Sequence, residues 1–316
     1  MTRVVIIGAR GFIGSHIASE LHDLRPECPP RSAADLEDPQ SLRALLKSGD
    51  VVINAAGYAV ATDATKEGSR RFDDVNVSGA RNLAEAARER GASQLIHISS
   101  VAAMGRLQGR ELPETASGPL ITPYARSKRA AEVLLAEFAA DLPVTILRPT
   151  SVFGEGRGLA ALLCRLLMAP VVPLPGGGRA EIPFTYVGNV AWAVRLCLGN
   201  SLTYGRTLQV GDRRSYELRL VLKELAAALG RNPRFVPVPQ SIISSVARVG
   251  EAAAKVIGKP PPIDRTRLSV LTTSVSFSIE QLHATTGYEP RHSLREGAAR
   301  IAAWYLASRA PGHASG

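Results

Sequence analysis

Three side chains of this 316-residue sequence could together move a proton at a carbonyl oxygen: Ser100, Tyr124 and Lys128. A free phenol, with a pKa of about 10, is a poor acid or base at neutral pH, but a nearby ammonium stabilises its phenolate and brings the proton within reach. Tyr124 and Lys128 are four residues apart, so they share one face if the segment is helical. Thr122 and Pro123 just before them are suited to an N-cap and a first helical turn. Tyr and Lys at this spacing meet by chance on many helix surfaces; the context here adds to the signal. The segment Ile96-His-Ile-Ser99-Ser100 predicts a strand that delivers two hydroxyls to a sheet edge, where one could orient the same oxygen. His97, inside that strand, reads as a packing residue.

A second constellation is Gly8-Ala-Arg-Gly11-Phe-Ile-Gly14, which follows an apolar start and opens an amphipathic stretch. A strand running into a glycine turn and a helix directs backbone amides and the positive end of the helix dipole at one point, which is how a pyrophosphate is held. Such a glycine set could also serve only as a tight turn. The elements that must position both constellations are short runs rich in Val and Ile at 4–7, 51–53, 95–98 and 144–147, separated by segments of helical periodicity. This alternation predicts an α/β fold, a doubly wound parallel sheet of Rossmann type. Beyond Gly154 the order loosens into helices, Pro and Gly clusters (173–178, 259–262) and short strands, so a smaller substrate lobe is expected. The expected division is residues 1–155 for a dinucleotide-binding domain, 156–310 for most of the substrate lobe with 184–200 returning to the first domain, and 311–316 as a tail.

The GxxGxxG spacing resembles that of the extended short-chain dehydrogenases/reductases, the NAD-dependent epimerase/dehydratase superfamily, and further landmarks follow in that family's order. Asp35-Leu36 is similar to the pair flanking the adenine ring, and Asn54-Ala55-Ala56-Gly57 to the turn beneath the cofactor. Val75-Asn76 resembles the helix carrying a structural Asn. Arg148-Pro149-Thr150-Ser-Val152-Phe-Gly154 resembles the loop beside the nicotinamide, and Gly287-Tyr-Glu-Pro290 a C-terminal signature. The resemblance implies that Ser100, Tyr124 and Lys128 are catalytic, Lys128 also meeting the nicotinamide ribose. It implies that the cofactor touches Gly8, Arg10, Gly11, Phe12, Ile13, Gly14, Asp35, Leu36, Ala55, Ala56, Gly57, Asn76, Ser99, Tyr124, Lys128, Pro149, Thr150 and Val152. The distance to Gly105 matches Ser100, rather than Ser99, to the catalytic hydroxyl.

One departure concerns the second strand, which ordinarily ends in an acid gripping the adenosine ribose. Asp35 sits near the right distance from the glycines, but its spacing to Asn54 places it after the third strand instead. The second strand and its helix are therefore lost or shortened between Leu24 and Ala34, where Pro26, Pro29 and Pro30 disfavour a regular strand. The usual selector between NAD and NADP goes with them. Arg10 resembles a residue that meets a 2′-phosphate, and Arg31 could assist, so NADP is preferred over NAD.

The triad is shared with nucleotide-sugar epimerases and dehydratases, and the flanking residues must choose. Dehydratases place an Asp-Glu pair beside the catalytic hydroxyl, where this chain has Val101 and Ala102. Nucleotide-sugar enzymes place an Arg before the strand that aligns with 184–187, where this chain has Ile182-Pro183, although Arg179 could substitute; Met104 replaces their common Tyr. Gly211-Asp212, Pro237-Val-Pro239, Pro260–Pro262 and the Gly287 signature resemble the 3β-hydroxysteroid dehydrogenase and dihydroflavonol reductase branch. The expected activity is a ketoreductase or secondary alcohol dehydrogenase acting on a small, cyclic substrate, with 242–257 and 159–174 as candidate pocket walls. The alternatives are an epimerase or 4-ketoreductase of nucleotide sugars and a non-catalytic dinucleotide-binding regulator; retention of all three triad residues argues against the last.

The composition is that of a globular chain, 45% hydrophobic. The best apolar run, near 162–174, is interrupted by Arg165, Pro170 and Pro173, short of the ~20 residues a membrane span needs. The net charge of +10 is scattered and lacks aromatic interleaving, which speaks against nucleic acid. Cys28, Cys164 and Cys197 show no metal-ligand spacing, so no metal is expected. A cytoplasmic location is expected from an N-terminus that is strand rather than signal peptide. The resemblance also implies a possible homodimer, pairing the Tyr124 helix with the helix at 76–90.

Overall fold

The computed structural model describes residues 2–59, 66–156, 159–239, 241–242, 245 and 271–309. The first half runs β1 (Val4–Ile7), α1 (Phe12–Glu20), α2 (Pro39–Leu45), β2 (Val51–Asn54), α3 (Lys66–Phe72), a π-helical turn (Asp73–Ser78), α4 (Gly79–Glu89), β3 (Gln94–Ile98), β4 (Gly109–Leu112), α5 (Pro123–Ala136) and β5 (Val144–Pro149). The second half runs β6 (Ser151–Phe153), α6 (Leu159–Leu167), β7 (Val171–Pro175), β8 (Glu181–Ile182), β9 (Phe184–Tyr186), α7 (Val187–Cys197), β10 (Thr207–Val210), β11 (Tyr216–Glu217), α8 (Leu218–Ala228), β12 (Arg234–Val238), β13 (Val275–Phe277), α9 (Glu280–Thr286) and α10 (Leu294–Ala307).

The central sheet is parallel, in the order β1-β2-β3-β5-β10. Every residue of β1, β2, β3 and β5 is buried, as continuous Val and Ile runs covered on both faces must be. One face packs Ile6, Ile53 and Leu147 against Ile17 of α1, Val190 of α7 and Leu282 of α9. The other packs Val5, Val52 and Leu95 against Leu42 of α2, Leu83 of α4 and Leu135 of α5. Each such aliphatic side chain contributes on the order of 1.5–3 kcal/mol.

The missing second strand survives as one residue. Glu27 donates its amide to the Val4 carbonyl at 2.8 Å and accepts from the Ile6 amide at 2.9 Å, a single parallel bridge on the outer side of β1. Pro29 and Pro30 bring no N–H to extend the ladder. The chain then turns through Arg31–Ala33 and crosses to β2 on the other side of β1, so the direction of winding reverses between β1 and β2. That reversal is where an open α/β sheet binds its ligand, beyond the carboxyl ends of the strands.

The remaining elements form small two-stranded sheets, β6-β9, β7-β12, β8-β11 and β4-β13, around a separate apolar core. α6 belongs to that core: Cys164 and Leu167 are fully buried there. The chain returns to the central sheet through α7, which packs along α1, and through β10. Most of 242–257, the prolines at 260–262 and the tail at 311–316 lie outside the described residues. Among the described residues no helix is long and apolar enough to cross a membrane.

Candidate active site

All the loops that matter leave the same edge of the sheet. Gly8 follows β1 in a left-handed conformation (φ 82°), and a Cβ there would lie 2.6 Å from the Ala56 amide nitrogen in the loop after β2. A Cβ on Gly14 would lie 2.1 Å from the Gly8 carbonyl oxygen. The two glycines thus let the turn, helix α1 and the β2 loop close on one another. Gly11 caps α1 without a side-chain acceptor, leaving the first amides of the helix, from Phe12 onward, without intrahelical partners and facing outward at its positive end. This cradle is shaped for a pyrophosphate.

The triad assembles beside it. Ser100 sits just past β3, its hydroxyl accepting from the Ala102 amide at 3.1 Å. Thr122 caps α5 by accepting from the Ala125 amide at 3.0 Å, which sets Tyr124 and Lys128 on the face turned to the sheet edge. Burial raises the Tyr124 phenol above its ordinary value while the Ser100 hydroxyl opposes this, so at neutral pH Tyr124 holds its proton. Burial pulls the Lys128 ammonium down to about 8, the Glu132 carboxylate pulling the other way, so it remains charged at neutral pH. Lys128 Nζ donates to the Ile98 carbonyl at 3.0 Å. The Gly57 backbone lies over the ammonium, with a virtual Cβ 3.5 Å from Nζ.

A cleft of about 270 Å³ opens from Ser100. Its wall is largely apolar, with Val101, Leu107, Ile182, Pro183, Val275 and Phe277, and Arg106 is its only charged lining side chain among the described residues. Thr150, at the end of β5, also lines it, and its buried hydroxyl has no hydrogen-bond partner. The 159–174 segment, expected as a pocket wall, is instead spent on the core of the smaller lobe through α6 and β7, and Arg179 lies outside the lining.

The family model for the NAD dependent epimerase/dehydratase family matches residues 4–211. The chain belongs to that family. It is 27% identical to UDP-glucose 4-epimerase of Vibrio cholerae over 96% of this chain and 95% of the relative, and 30% identical to ceramide reductase of Caulobacter vibrioides over 81% and 80%. The fold is that of RMD from Pseudomonas aeruginosa complexed with NADPH (TM-score 0.75, 23% identical, 97% of this chain and 100% of that one).

In the segment expected to meet the adenosine, Asp35 accepts from the Glu37 amide at 3.1 Å, and this bond with the Arg31 guanidinium holds its carboxyl below the usual range. Leu36 is buried beneath α4, its carbonyl accepting from Asn82 at 2.8 Å. Arg10 is exposed with no ion pair among the described residues. Arg31, in contrast, is paired with both Asp35 and Glu37, so its charge is already matched by two carboxylates. Pro149 is buried at the end of β5, and Val152 wedges between two cores.

Asn76 lies in the π-helical turn, where the widened backbone is a frequent feature of functional sites. It accepts from the Tyr58 amide at 2.8 Å and donates to the Tyr58 carbonyl at 3.0 Å and to the Ser127 hydroxyl at 3.0 Å, tying the β2 loop to α5. Ser99 does not face the cleft: its hydroxyl donates to Glu132 Oε1 at 2.6 Å. Glu132 in turn pairs with Arg148, both side chains 5% exposed. Sequence reasoning passed over Glu132 and Ser127. A signal for the first was present, since an acid four residues beyond a lysine that faces a sheet must share its buried side.

Proposed function

We propose that this protein is an NAD(P)-dependent ketoreductase or secondary alcohol dehydrogenase acting on a compact, ring-bearing and largely apolar substrate. The observation that carries this reading is that Ser100, whose hydroxyl acts on the Tyr124 phenol, lines a largely apolar cleft, with Lys128 one helical turn beyond Tyr124 on α5. The glycine cradle fits a dinucleotide, because the uncapped first amides of α1 meet there and Cβ atoms at Gly8 and Gly14 would force apart the backbone that forms it, and NADP is the preferred form because exposed Arg10 stands at its rim. Gly11, Phe12, Ile13 and Gly14 would hold the pyrophosphate, Asp35 and Leu36 the adenine end, Ala55 to Gly57 the middle, and Lys128, Pro149, Thr150 and Val152 the nicotinamide end. Bound there, the nicotinamide supplies or accepts a hydride at the substrate carbon.

The chain's own residues do the rest. Ser100 donates a hydrogen bond to the substrate oxygen and fixes its direction. Tyr124 delivers a proton to that oxygen as negative charge develops, or removes it in the oxidative direction. Lys128 stabilises the resulting phenolate by its charge. The apolar walls exclude water and hold the rest of the substrate.

A second reading, nucleotide-sugar epimerisation, is favoured by Arg106, which could meet a diphosphate in the cleft. Titrating the purified protein with NADPH and NADH by fluorescence transfer and thermal shift, then with cyclic ketones and nucleotide sugars, separates the two. Micromolar NADPH binding with ketone-dependent oxidation supports the ketoreductase. Sugar conversion without net cofactor change supports the epimerase, and binding of neither dinucleotide removes both.

A further inference from the structure

The triad accounts for the proton but leaves open what fixes Ser100 against Tyr124, which stand on separate elements. Beside them is a buried ionic cluster that the reaction does not consume. Arg148 Nε donates to Glu132 Oε1 at 2.9 Å and Nη2 to Oε2 at 2.6 Å, a bidentate pair, while Nη1 donates to the Glu114 carbonyl at 2.8 Å. Ser99 Oγ donates to the same Oε1. Resting on the ketoreductase reading, we propose that Glu132, locked by Arg148, is the positioning residue of this active site: it ties the ends of β3 and β5 to α5 and so sets Ser100 against Tyr124 and Lys128.

The topology makes the case. Ile98 and Ser99 are the two residues before Ser100, and both are fastened to α5, Ile98 through its carbonyl to Lys128 and Ser99 through its hydroxyl to Glu132. Ser100 is therefore held by two consecutive anchors on the helix that carries Tyr124. Arg148 lies two residues before Thr150, which lines the cleft. Its third donor fixes the Glu114 segment, whose carboxylate accepts from the Gln209 amide at 3.3 Å in β10. One carboxylate thus references three neighbouring strands to one helix.

A pair serving only stability is expendable, since a buried ion pair replaced by apolar residues is often neutral or stabilising, whereas removing one partner strands a charge. Misplacing a reacting group by about 1 Å, in contrast, costs on the order of a hundredfold in rate. Glu132 also acts on Lys128 one helical turn away. The charged or titratable groups facing Lys128 are Glu132 and Tyr124 on its own helix and His97 on β3, with Arg148 of β5 behind Glu132. His97 is held neutral by burial and by the ammonium, so Glu132 is the anion that offsets burial of Lys128. Without it, Lys128 loses its proton at lower pH and the Tyr124 phenolate is stabilised less.

The test compares Ser99→Ala, which cuts one anchor and leaves the ion pair, with the double variant Glu132→Leu/Arg148→Met, which removes both charges together. Melting temperature, NADPH affinity, ketone kinetics against pH, and the Tyr124 titration are measured. The last is taken from near-ultraviolet phenolate absorbance, using each protein's Tyr124→Phe counterpart as the blank. The double variant is expected to bind NADPH within about threefold of wild type and to lose about tenfold or more in kcat, with KM changed less than about threefold. Its alkaline limb moves to lower pH, and Tyr124 titrates at higher pH than in wild type. Ser99→Ala should lower kcat by about threefold without lowering the melting temperature. Wild-type kcat in Ser99→Ala overturns the proposal, as does an unmoved Tyr124 titration in a folded double variant. If the wild-type protein reduces no ketone and the Tyr124 titration still moves, the ketoreductase reading falls and the positioning role stands.

Discussion

Tyr124 holds its proton at neutral pH because burial raises it more than Ser100 lowers it. Replacing Tyr124 with Phe removes the transferable proton and little else, so the variant should fold and bind NADPH while losing about 10²–10⁴-fold in turnover. Dinucleotide oxidation and thermal shift measured side by side check this, and wild-type turnover would refute the mechanism. Arg10 stands exposed at the cradle with no ion pair among the described residues, while Arg31 is neutralised by Asp35 and Glu37. Arg10→Ser should therefore weaken NADPH binding by about tenfold and leave NADH binding nearly unchanged, from the loss of one charge-assisted phosphate contact; equal effects on both would make it a bystander. The placement that follows from type and spacing, such as the phenol and ammonium four apart on one capped helix, was legible from the chain. Ser99 was not, because nothing in adjacent serines says which hydroxyl turns inward to a carboxylate 33 residues away.

At the level of elements, the four apolar runs located β1, β2, β3 and β5 to within two residues at each end, since strands buried on both faces need unbroken apolar sequence. The shortened second strand was legible from its prolines, while its remnant at Glu27 was invisible because a single bridge has no period. The loops after β6 and around α1 were illegible for a related reason, as their contacts join distant segments. There, burial raises the Glu155 carboxyl, but hydrogen bonds from His16 on α1 and Tyr186 on β9 overcome it and hold the group at about 2 instead of 4.5. A carboxyl depressed in the folded state lends stability above its ordinary value and loses it as pH falls from about 4.5 toward 2. For this one-quarter exposed side chain that amounts to about 2 kcal/mol. Wild-type melting temperature should therefore fall between pH 5 and pH 3 more steeply than that of Glu155→Gln, and parallel curves would show the cluster to be energetically idle. In the cradle, Gly14→Ala drives a Cβ into the Gly8 carbonyl at 2.1 Å. It should abolish dinucleotide binding, as seen by titration, before it abolishes the fold, because strain falls on the turn while the core packs elsewhere.

For the whole molecule, the distribution of surfaces on α5 bears on assembly. One face of this helix is buried on the sheet through Lys128, Ala131, Glu132 and Leu135, and carries the groups proposed to be catalytic. The opposite face leaves Val133 58% exposed beside Ala130 and Arg126, with α4 packed alongside and presenting Arg81 and Arg88. Two copies related by a twofold axis would stack α4 and α5 against their mates as a four-helix layer, covering Val133 twice and leaving both clefts open. Sedimentation at micromolar concentration should then show a dimer. Val133→Glu places two like charges across the axis in a drying interface, where unpaired carboxylates cost several kcal/mol, and should shift the protein to monomer at the same concentration. Because the groups proposed to be catalytic sit on the far side of α5, the monomer should still bind NADPH. A loss of binding that accompanies dissociation would mean that the α4–α5 layer steadies the site, whereas a wild-type protein that sediments only as monomer would leave Val133 an ordinary exposed side chain.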